Sequence, residues 1–431
     1  MYNIVLFHLE SVNQVALIKN KQCFPNLNRL MNSCVKFENY FSTATSTYMV
    51  MADVTYEDVT CYEKSKELEN IFHISSVSQS VWDELVQMGY NTKIFINGYD
   101  EDDEIDEVAH FLLSNGNYMA LDDNDMFASE FANFVFDNNK FVTYILENVS
   151  HIAYSGKRVS KGLNAQEGYT ARYKAIDRVV GIVLNALENS KHLEDTIIMM
   201  YGDHGDSVWA HGLHGGYLHA IPPYHEMIHC PFVCRMPGGN SRSDYSLICT
   251  KDIRKMLLKY AQGNLEQEWS ERKYIFSRNL YVNQPLKKYT FEKSYGVNNL
   301  RYTLIVTRKG LEMYMNNIDF SNQINILEFF KLRKGRLIFN KVYKGIGSGH
   351  FKALMNSITI NEIIKEFDFL YMQLVKEVSA LYHFSCRNIS ELKLNKIYYA
   401  QITYAEKIKL IGNSLLILAV HWHEKIKGNN K

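Results

Sequence analysis

The stretch DTIIMMYGDHGD, residues 195–206, joins a continuous apolar run to a group of polar side chains. An apolar run of this length predicts a strand that is buried on both faces of a parallel sheet. The strand would deliver Asp203 and His204 at its carboxyl end, where ligands bind in open α/β sheets. Six of the 15 histidines lie between His204 and His229. Histidines clustered beside an aspartate favour a metal site.

Outward from this stretch, the first 240 residues alternate between strand and helix patterns. Apolar runs at 3–9, 92–98 and 140–147 predict three further buried strands. A long helix is expected over 168–190, because its apolar residues recur every three or four positions. Alternation of this kind is typical of a mostly parallel sheet with helices on both faces.

The pattern changes in the second half of the chain. After about residue 270, short runs rich in tyrosine and β-branched residues predict a small antiparallel sheet. Beyond about residue 350 the pattern is helical. We therefore expect a catalytic α/β domain over 1–265, a small C-terminal sheet subdomain over 266–345 and a helical extension over 346–431.

Composition narrows the class of protein. Lys plus Arg and Asp plus Glu both number 47, so the formal net charge is zero and gives no reason to expect a nucleic-acid partner. The seven cysteines form no CxxC pair, which suits a reducing compartment better than a disulfide framework. The first ten residues, MYNIVLFHLE, lack the basic segment of a signal peptide. These features favour a cytoplasmic protein.

The sequence contains no transmembrane pattern, because no uninterrupted apolar stretch approaches the roughly 18 residues that a spanning helix needs. The longest candidate is LLILAVHW at 415–422. It is too short to span a bilayer. It predicts a packed terminal helix, with contact to a membrane surface or a partner as the alternative.

Four segments, in this order, resemble the sulfatase branch of the alkaline phosphatase superfamily, which also includes lipoteichoic acid synthases and phosphoethanolamine transferases. They are NIVLFHLES (3–11), PNLNRLMNSCVKFENYFSTATST (25–47), DTIIMMYGDHGD with YHEMIHCPFVCRMPG (195–206 and 224–238), and RYTLIVTRKGLEMYMNNIDFSNQINIL (301–327). The resemblance covers roughly residues 3–330. It implies an alkaline phosphatase-like α/β fold and an activity on phosphate or sulfate esters.

The resemblance also implies a metal site at the strand ends. Glu10 follows the first strand, and Asp203 and His204 follow the strand quoted above. With a threonine hydroxyl, these side chains would hold one divalent metal ion. Such a ligand set suits Mn²⁺, Mg²⁺, Zn²⁺ or Ca²⁺.

The nucleophile is where this chain departs from sulfatases proper. Their CxPSR motif, whose cysteine or serine becomes formylglycine, is replaced by STATSTYMVMAD at 42–53. The related transferases use an unmodified threonine, and this stretch offers Thr43, Thr45 and Thr47. The spacing from Phe37 and from Glu10 favours Thr47. A serine three residues after the nucleophile would instead select Thr43.

Two further histidines match positions that act in relatives. His151 follows the strand at 140–147, and His219 lies in GGYLHAIPP. Either could bind substrate or protonate a leaving oxygen, since histidine titrates near neutrality. The expected function is hydrolysis or group transfer on a small-molecule or glycan-linked phosphate or sulfate ester. The alternative is a non-catalytic relative that binds an anionic ligand or partner.

Overall fold

The structure is a computed structural model. It describes residues 2–57, 59–61, 72–74, 79–98, 113, 117–121, 123–148, 165–208, 217–218, 221–239, 241–266, 271–279, 294–307, 310–333, 336–339 and 358–381.

Within these ranges, eight strands form the main sheet. In chain order they are β1 (Asn3–Leu9), β2 (Cys34–Phe37), β6 (Asn91–Asn97), β7 (Asn117–Leu121), β8 (Phe141–Glu147), β9 (Thr196–Gly202), β12 (Phe232–Arg235) and β13 (Arg242–Asp244). Their order across the sheet is β13-β2-β12-β9-β1-β8-β6-β7. The five strands from β9 to β7 run parallel, and β12 alone runs against its neighbours. The first strand is therefore central, with parallel neighbours on both sides.

Short strand pairs lie outside this sheet. They are β3 (Tyr40–Phe41) with β14 (Ile248–Cys249), β4 (Val59–Cys61) with β5 (Phe72–Ile74), and β10 (Ser207–Val208) with β11 (Tyr217–Leu218).

Helices cover both faces of the main sheet. One face carries α3 (Thr47–Thr55), α4 (Val81–Gln87) and α8 (Thr250–Ala261). The opposite face carries α1 (Gln14–Lys19), α2 (Pro25–Met31), α5 (Asn124–Asp137) and α6 (Ala165–Asn189). The short α7 (His225–Ile228) precedes β12. Side chains of β1 alternate between the two cores, so Ile4 and Leu6 face α3 while Val5 and Phe7 face α6.

A four-stranded antiparallel sheet follows in the chain. It comprises β15 (Ile275–Asn279), β16 (Ser294–Asn298), β17 (Tyr302–Thr307) and β18 (Gly310–Met315). A hairpin, β19 (Phe330–Arg333) with β20 (Arg336–Phe339), and α9 (Ile360–Leu381) complete the described residues. The apolar side of α9 shares one core with this sheet, for example through Phe367 and Leu304.

This architecture confirms the expected fold class: a mostly parallel sheet between helices, a small antiparallel sheet and a C-terminal helix. The domain boundaries at residues 265 and 345 stay a prediction. The segment 415–422 lies outside the described residues. In the described part of the chain, no helix combines the length and apolar character needed to cross a membrane.

Candidate active site

Two acidic residues meet at the carboxyl edge of the main sheet. Strand β1 ends at Leu9 and β9 ends at Gly202, and these two residues are paired partners in the parallel ladder. The next residue in each strand, Glu10 and Asp203, is therefore held beside its counterpart. Both side chains have no exposed surface. The adjacent His204 is equally buried.

Thr47 reaches this pair from a helix. It is the first residue of α3, and extended Ser46 precedes it as N-cap. The Thr47 hydroxyl oxygen lies 3.2 Å from Glu10 Oε2 and 3.1 Å from His204 Nε2. The structure thus brings together Glu10, Thr47, Asp203 and His204, the four residues predicted to hold a metal.

The other two threonines of the turn point elsewhere. The Thr43 hydroxyl donates to Asp53 Oδ2 at 2.5 Å. The Thr45 hydroxyl donates to the carbonyl of Ile221 at 2.8 Å. Of the three candidates, Thr47 is the one whose hydroxyl contacts the acidic pair.

His8 is a site residue that the sequence reasoning missed. It lies in the apolar run at 3–9, and its Nε2 lies 3.1 Å from Asp203 Oδ2 and 3.5 Å from Glu10 Oε2. Its Nδ1 lies 2.7 Å from the hydroxyl of Tyr144. Alternate side chains of a strand lie on the same face. The sequence alone therefore places His8, two positions before Glu10, on the same face as that acid.

Ser11 orients both carboxylates. Its backbone N–H donates to Asp203 Oδ1 at 2.9 Å, and its hydroxyl donates to Glu10 Oε1 at 2.7 Å. The residue has a φ of 57°, a left-handed conformation that turns the chain so that both donors face the acids. The remaining oxygens, Glu10 Oε2 and Asp203 Oδ2, consequently turn toward Thr47 and the two imidazoles.

His204 is oriented by its own backbone neighbour. Its Nδ1 lies 3.1 Å from the carbonyl oxygen of Gly205, which can only accept a hydrogen bond. Nδ1 therefore donates to that carbonyl, and the opposite nitrogen, Nε2, faces the acidic pair. That nitrogen lies 3.0 Å from Asp203 Oδ2.

The charge of the site calls for a cation. Two buried carboxylates repel each other unless a positive group lies between them. Asp203 Oδ2 is buried between the Nε2 atoms of His8 and His204, at 3.1 and 3.0 Å. Burial opposes a charged His8, but Tyr144, Asp203 and Glu10 hold the pKa of its imidazole well above the usual value. Carboxylate, imidazole and hydroxyl donors facing one point fit a divalent metal ion.

A buried ion pair fixes the loop after His204. Arg172 of α6 donates to Asp206 Oδ2 at 3.3 and 3.4 Å, and both side chains are almost fully buried. This contact ties the loop that carries Asp203 and His204 to the long helix behind the sheet.

Of the other predicted histidines, His151 and His219 lie outside the described residues. His225 and His229 lie apart from the carboxylates, in an aromatic cluster with Phe41 and Phe320.

Solved structures share the fold at low sequence identity. A Bacteroides thetaiotaomicron protein, described with that organism's metabolism of multiple glycosaminoglycans, is 11% identical with a TM-score of 0.55, over 85% of this chain and 99% of its own. The phosphonate monoester hydrolase of Agrobacterium radiobacter is 12% identical with a TM-score of 0.54, over 83% and 95%. A protein in complex with its substrate D-glucosamine-2-N,6-O-disulfate is 13% identical with a TM-score of 0.56, over 91% and 100%.

No curated protein sequence matches the chain. The model of the Sulfatase family matches residues 2–263, which include the whole main sheet and every described site residue. That match supports an activity on sulfate or phosphate esters. The chain belongs to the sulfatase family, within the sulfatase-like branch of the alkaline phosphatase superfamily that its sequence resembles.

Proposed function

We propose that this protein is a metal-dependent hydrolase or group-transfer enzyme that acts on a phosphate or sulfate ester, with Thr47 as its nucleophile. The observation that carries the proposal is the position of the Thr47 hydroxyl, 3.2 Å from Glu10 Oε2 and 3.1 Å from His204 Nε2. A serine or threonine hydroxyl is a weak nucleophile until a base or a metal activates it. Here the hydroxyl touches both a carboxylate and an imidazole.

Glu10, Thr47, Asp203 and His204 would hold the metal ion. When bound, a divalent cation lowers the pKa of a hydroxyl and offsets charge on the oxygens of the transferring group. Ser11 holds Glu10 Oε1 and Asp203 Oδ1 by hydrogen bonds. The other two oxygens, Glu10 Oε2 and Asp203 Oδ2, would therefore bind the metal without rearrangement.

In the first step, the Thr47 oxygen forms a bond to the phosphorus or sulfur atom while the bond to the leaving oxygen breaks. The hydroxyl proton passes to solvent water, because Glu10 Oε2, the nearest carboxylate oxygen, would be bound to the metal. The leaving oxygen takes a proton from an acid, the role proposed for His151 or His219. Thr47 opens a nine-residue helix, whose N-terminus favours an approaching anion.

In the second step, water or an acceptor alcohol attacks the threonine ester. The attacking oxygen gives its proton to the histidine that acted as acid. The Thr47 oxygen leaves and regains a proton from solvent water, so that Thr47 and the histidine return to their starting states. Water gives hydrolysis, whereas an alcohol gives group transfer.

The substrate class is proposed by analogy with proteins of the same fold. One acts on a sulfated glucosamine and another on phosphonate monoesters. We therefore propose a small-molecule or glycan-linked phosphate or sulfate ester as the substrate. Contact with a membrane surface through residues 415–422 remains part of this proposal.

Trapping the covalent intermediate tests the nucleophile directly. Metal-loaded protein would be mixed with p-nitrophenyl phosphate or p-nitrophenyl sulfate, quenched in acid and digested for mass spectrometry. The added phosphoryl or sulfuryl group is expected on the peptide that contains Thr47, and is expected to be absent in Thr47→Ala. Modification at Thr43, or burst release without any modified peptide, would refute the assignment.

A further inference from the structure

Five donor atoms in the site form a closed ring. Around it, Asp203 Oδ2 lies 3.1 Å from His8 Nε2 and 3.0 Å from His204 Nε2. Thr47 Oγ1 lies 3.1 Å from His204 Nε2 and 3.2 Å from Glu10 Oε2. The last gap, from Glu10 Oε2 to His8 Nε2, is 3.5 Å. Neighbouring ligands of a first-row metal, with bonds of about 2.1 Å, lie roughly 3 Å apart.

His8 is built into this ring. Its ring has no exposed surface, and its Nε2 faces two carboxylate oxygens, Asp203 Oδ2 at 3.1 Å and Glu10 Oε2 at 3.5 Å. The Tyr144 hydroxyl lies 2.7 Å from the opposite nitrogen, Nδ1, and Tyr201 lies 3.3 Å from it. Contacts on the far nitrogen fix the orientation of a metal-binding imidazole, as these tyrosines do here. Each of His8, Glu10 and Asp203 offers a ligand atom within 4.8 Å of the others.

We propose that His8 is a fifth metal ligand, and that the resulting pair of imidazoles makes the site bind Zn²⁺ and Mn²⁺ more tightly than Ca²⁺ and Mg²⁺. The inference rests on the proposed function for the presence of a metal, and extends its ligand set by one residue. Imidazole suits transition metals, whereas Ca²⁺ and Mg²⁺ prefer sites made of oxygen ligands alone.

The competing account gives His8 a different role. As an imidazolium it would neutralise Glu10 and Asp203 in the metal-free protein and would be displaced from them by the metal. The two accounts predict opposite effects of removing His8. Loss of a ligand weakens metal binding, whereas loss of a competing cation leaves binding unchanged or strengthens it.

Calorimetric titration of metal-free His8→Gln with Zn²⁺, Mn²⁺ and Ca²⁺ separates these accounts. We expect Zn²⁺ and Mn²⁺ to bind at least about 10-fold more weakly than to wild type, and the Ca²⁺ affinity to change by less than about 3-fold. His229→Gln, which alters a partly buried histidine outside the ring, is the matched control and should bind all three as wild type does. Unchanged or tighter Zn²⁺ binding by His8→Gln would overturn the proposal.

A second measurement uses the wild-type protein alone, in case His8→Gln does not fold. Pulsed EPR on the Mn²⁺ form, made with ¹⁵N-labelled histidine, counts the coordinated imidazole nitrogens. Two coupled nitrogens are expected, and one would refute the fifth ligand. Two nitrogens without turnover of any ester would leave His8 as a ligand and refute the proposed catalysis. A wild-type protein that binds no metal would contradict both.

Discussion

The hydroxyl of Thr43 donates a hydrogen bond to Asp53, the seventh residue of the helix that Thr47 opens. This contact commits Thr43 to holding the turn and leaves Thr47 to face Glu10. We therefore expect Thr47→Ala to reduce ester turnover by at least about 1,000-fold, because it removes the proposed nucleophile. Steady-state kinetics on the metal-loaded protein measures this directly.

The neighbouring threonines supply the controls. Thr43→Ala should keep turnover within about 10-fold of wild type and lower the free energy of unfolding by about 1–3 kcal/mol, because buried Asp53 loses a hydrogen-bond donor. Thr45→Ala should also keep its turnover and lower the free energy of unfolding, because the hydrogen bond from Thr45 to the carbonyl of Ile221 is lost. Full activity in Thr47→Ala, with inactivity in Thr43→Ala, would instead identify Thr43 as the nucleophile.

The ion pair between Arg278 and Asp53 should stabilise the turn at residues 42–47. Arg278 of β15 donates to both oxygens of Asp53 at 2.9 and 2.7 Å, and both side chains are buried. Burial would raise the pKa of Asp53, but the Arg278 guanidinium holds it below its usual value. We expect Arg278→Met to cost about 3–5 kcal/mol in urea unfolding, because it leaves a buried charge unpaired.

The double variant Arg278→Met with Asp53→Leu removes both charges and should recover part of that loss. Arg272→Met breaks a more exposed bidentate pair with Asp252 and should cost less. A loss below about 1 kcal/mol in Arg278→Met would show that the pair contributes little.

Gly202 leaves room for the chain that follows Glu10. A Cβ at this position would lie 2.2 Å from the backbone oxygen of Val12, which cannot move aside as a side chain can. Gly202→Ala should therefore displace the neighbouring Asp203 and weaken metal binding by at least about 10-fold. Titration with Mn²⁺ checks this effect.

Gly263→Ala provides the comparison. Gly263 has a φ of 81° with open space around it, so alanine there should cost about 1–2 kcal/mol of stability. The Mn²⁺ affinity should stay at the wild-type value. Equal metal affinity in Gly202→Ala would show that the loop tolerates a shift at this position.

Acid should destabilise the protein through His225, which is buried, and His229, which is partly buried. Burial, and then the neighbouring His229, hold the pKa of His225 well below its usual value, and burial also lowers the pKa of His229. Both stay neutral in the folded protein, whereas the unfolded chain takes up protons below about pH 6.5. The contribution of the two histidines to the free energy of unfolding is fully present above that pH. Below it, the free energy of unfolding falls by up to roughly 1.4 kcal/mol per pH unit for each histidine.

Urea unfolding from about pH 7.5 to about pH 5.5 measures this loss. His225→Gln should show a shallower decline than wild type, because it keeps one of the two histidines. Taking the difference between the two proteins removes the contribution of groups that they share, including His8. Parallel pH profiles would contradict the assignment.

Much of the fold and part of the site could be predicted from sequence. The apolar runs that end at Leu9 and Gly202 marked central strands, and the polar residues that follow such strands lie at the ligand-binding edge. Spacing favoured Thr47 as the nucleophile but left Thr43 and Thr45 as alternatives, because the three threonines share one turn. The choice depends on which hydroxyl faces Glu10, and that depends on where α3 begins.

The contacts that support the site could not be predicted. Ser11 orients both acids only because its backbone is left-handed, which serine rarely adopts. Arg278 and Asp53 are 225 residues apart and meet only through tertiary packing. His8 could have been predicted, because alternation along β1 places it on the same face as Glu10. The apolar character of the rest of the strand favoured a core role for it instead.

The most direct test of the central claim is hydrolysis of p-nitrophenyl phosphate, bis-p-nitrophenyl phosphate and p-nitrophenyl sulfate by metal-free protein, to which Mn²⁺, Zn²⁺, Mg²⁺ or Ca²⁺ is added back. We predict turnover that requires the metal and that disappears in both Asp203→Ala and Thr47→Ala. Turnover that persists in either variant would contradict the proposed site. A wild-type protein that binds no metal and hydrolyses no ester would instead indicate a non-catalytic protein that binds an anionic ligand.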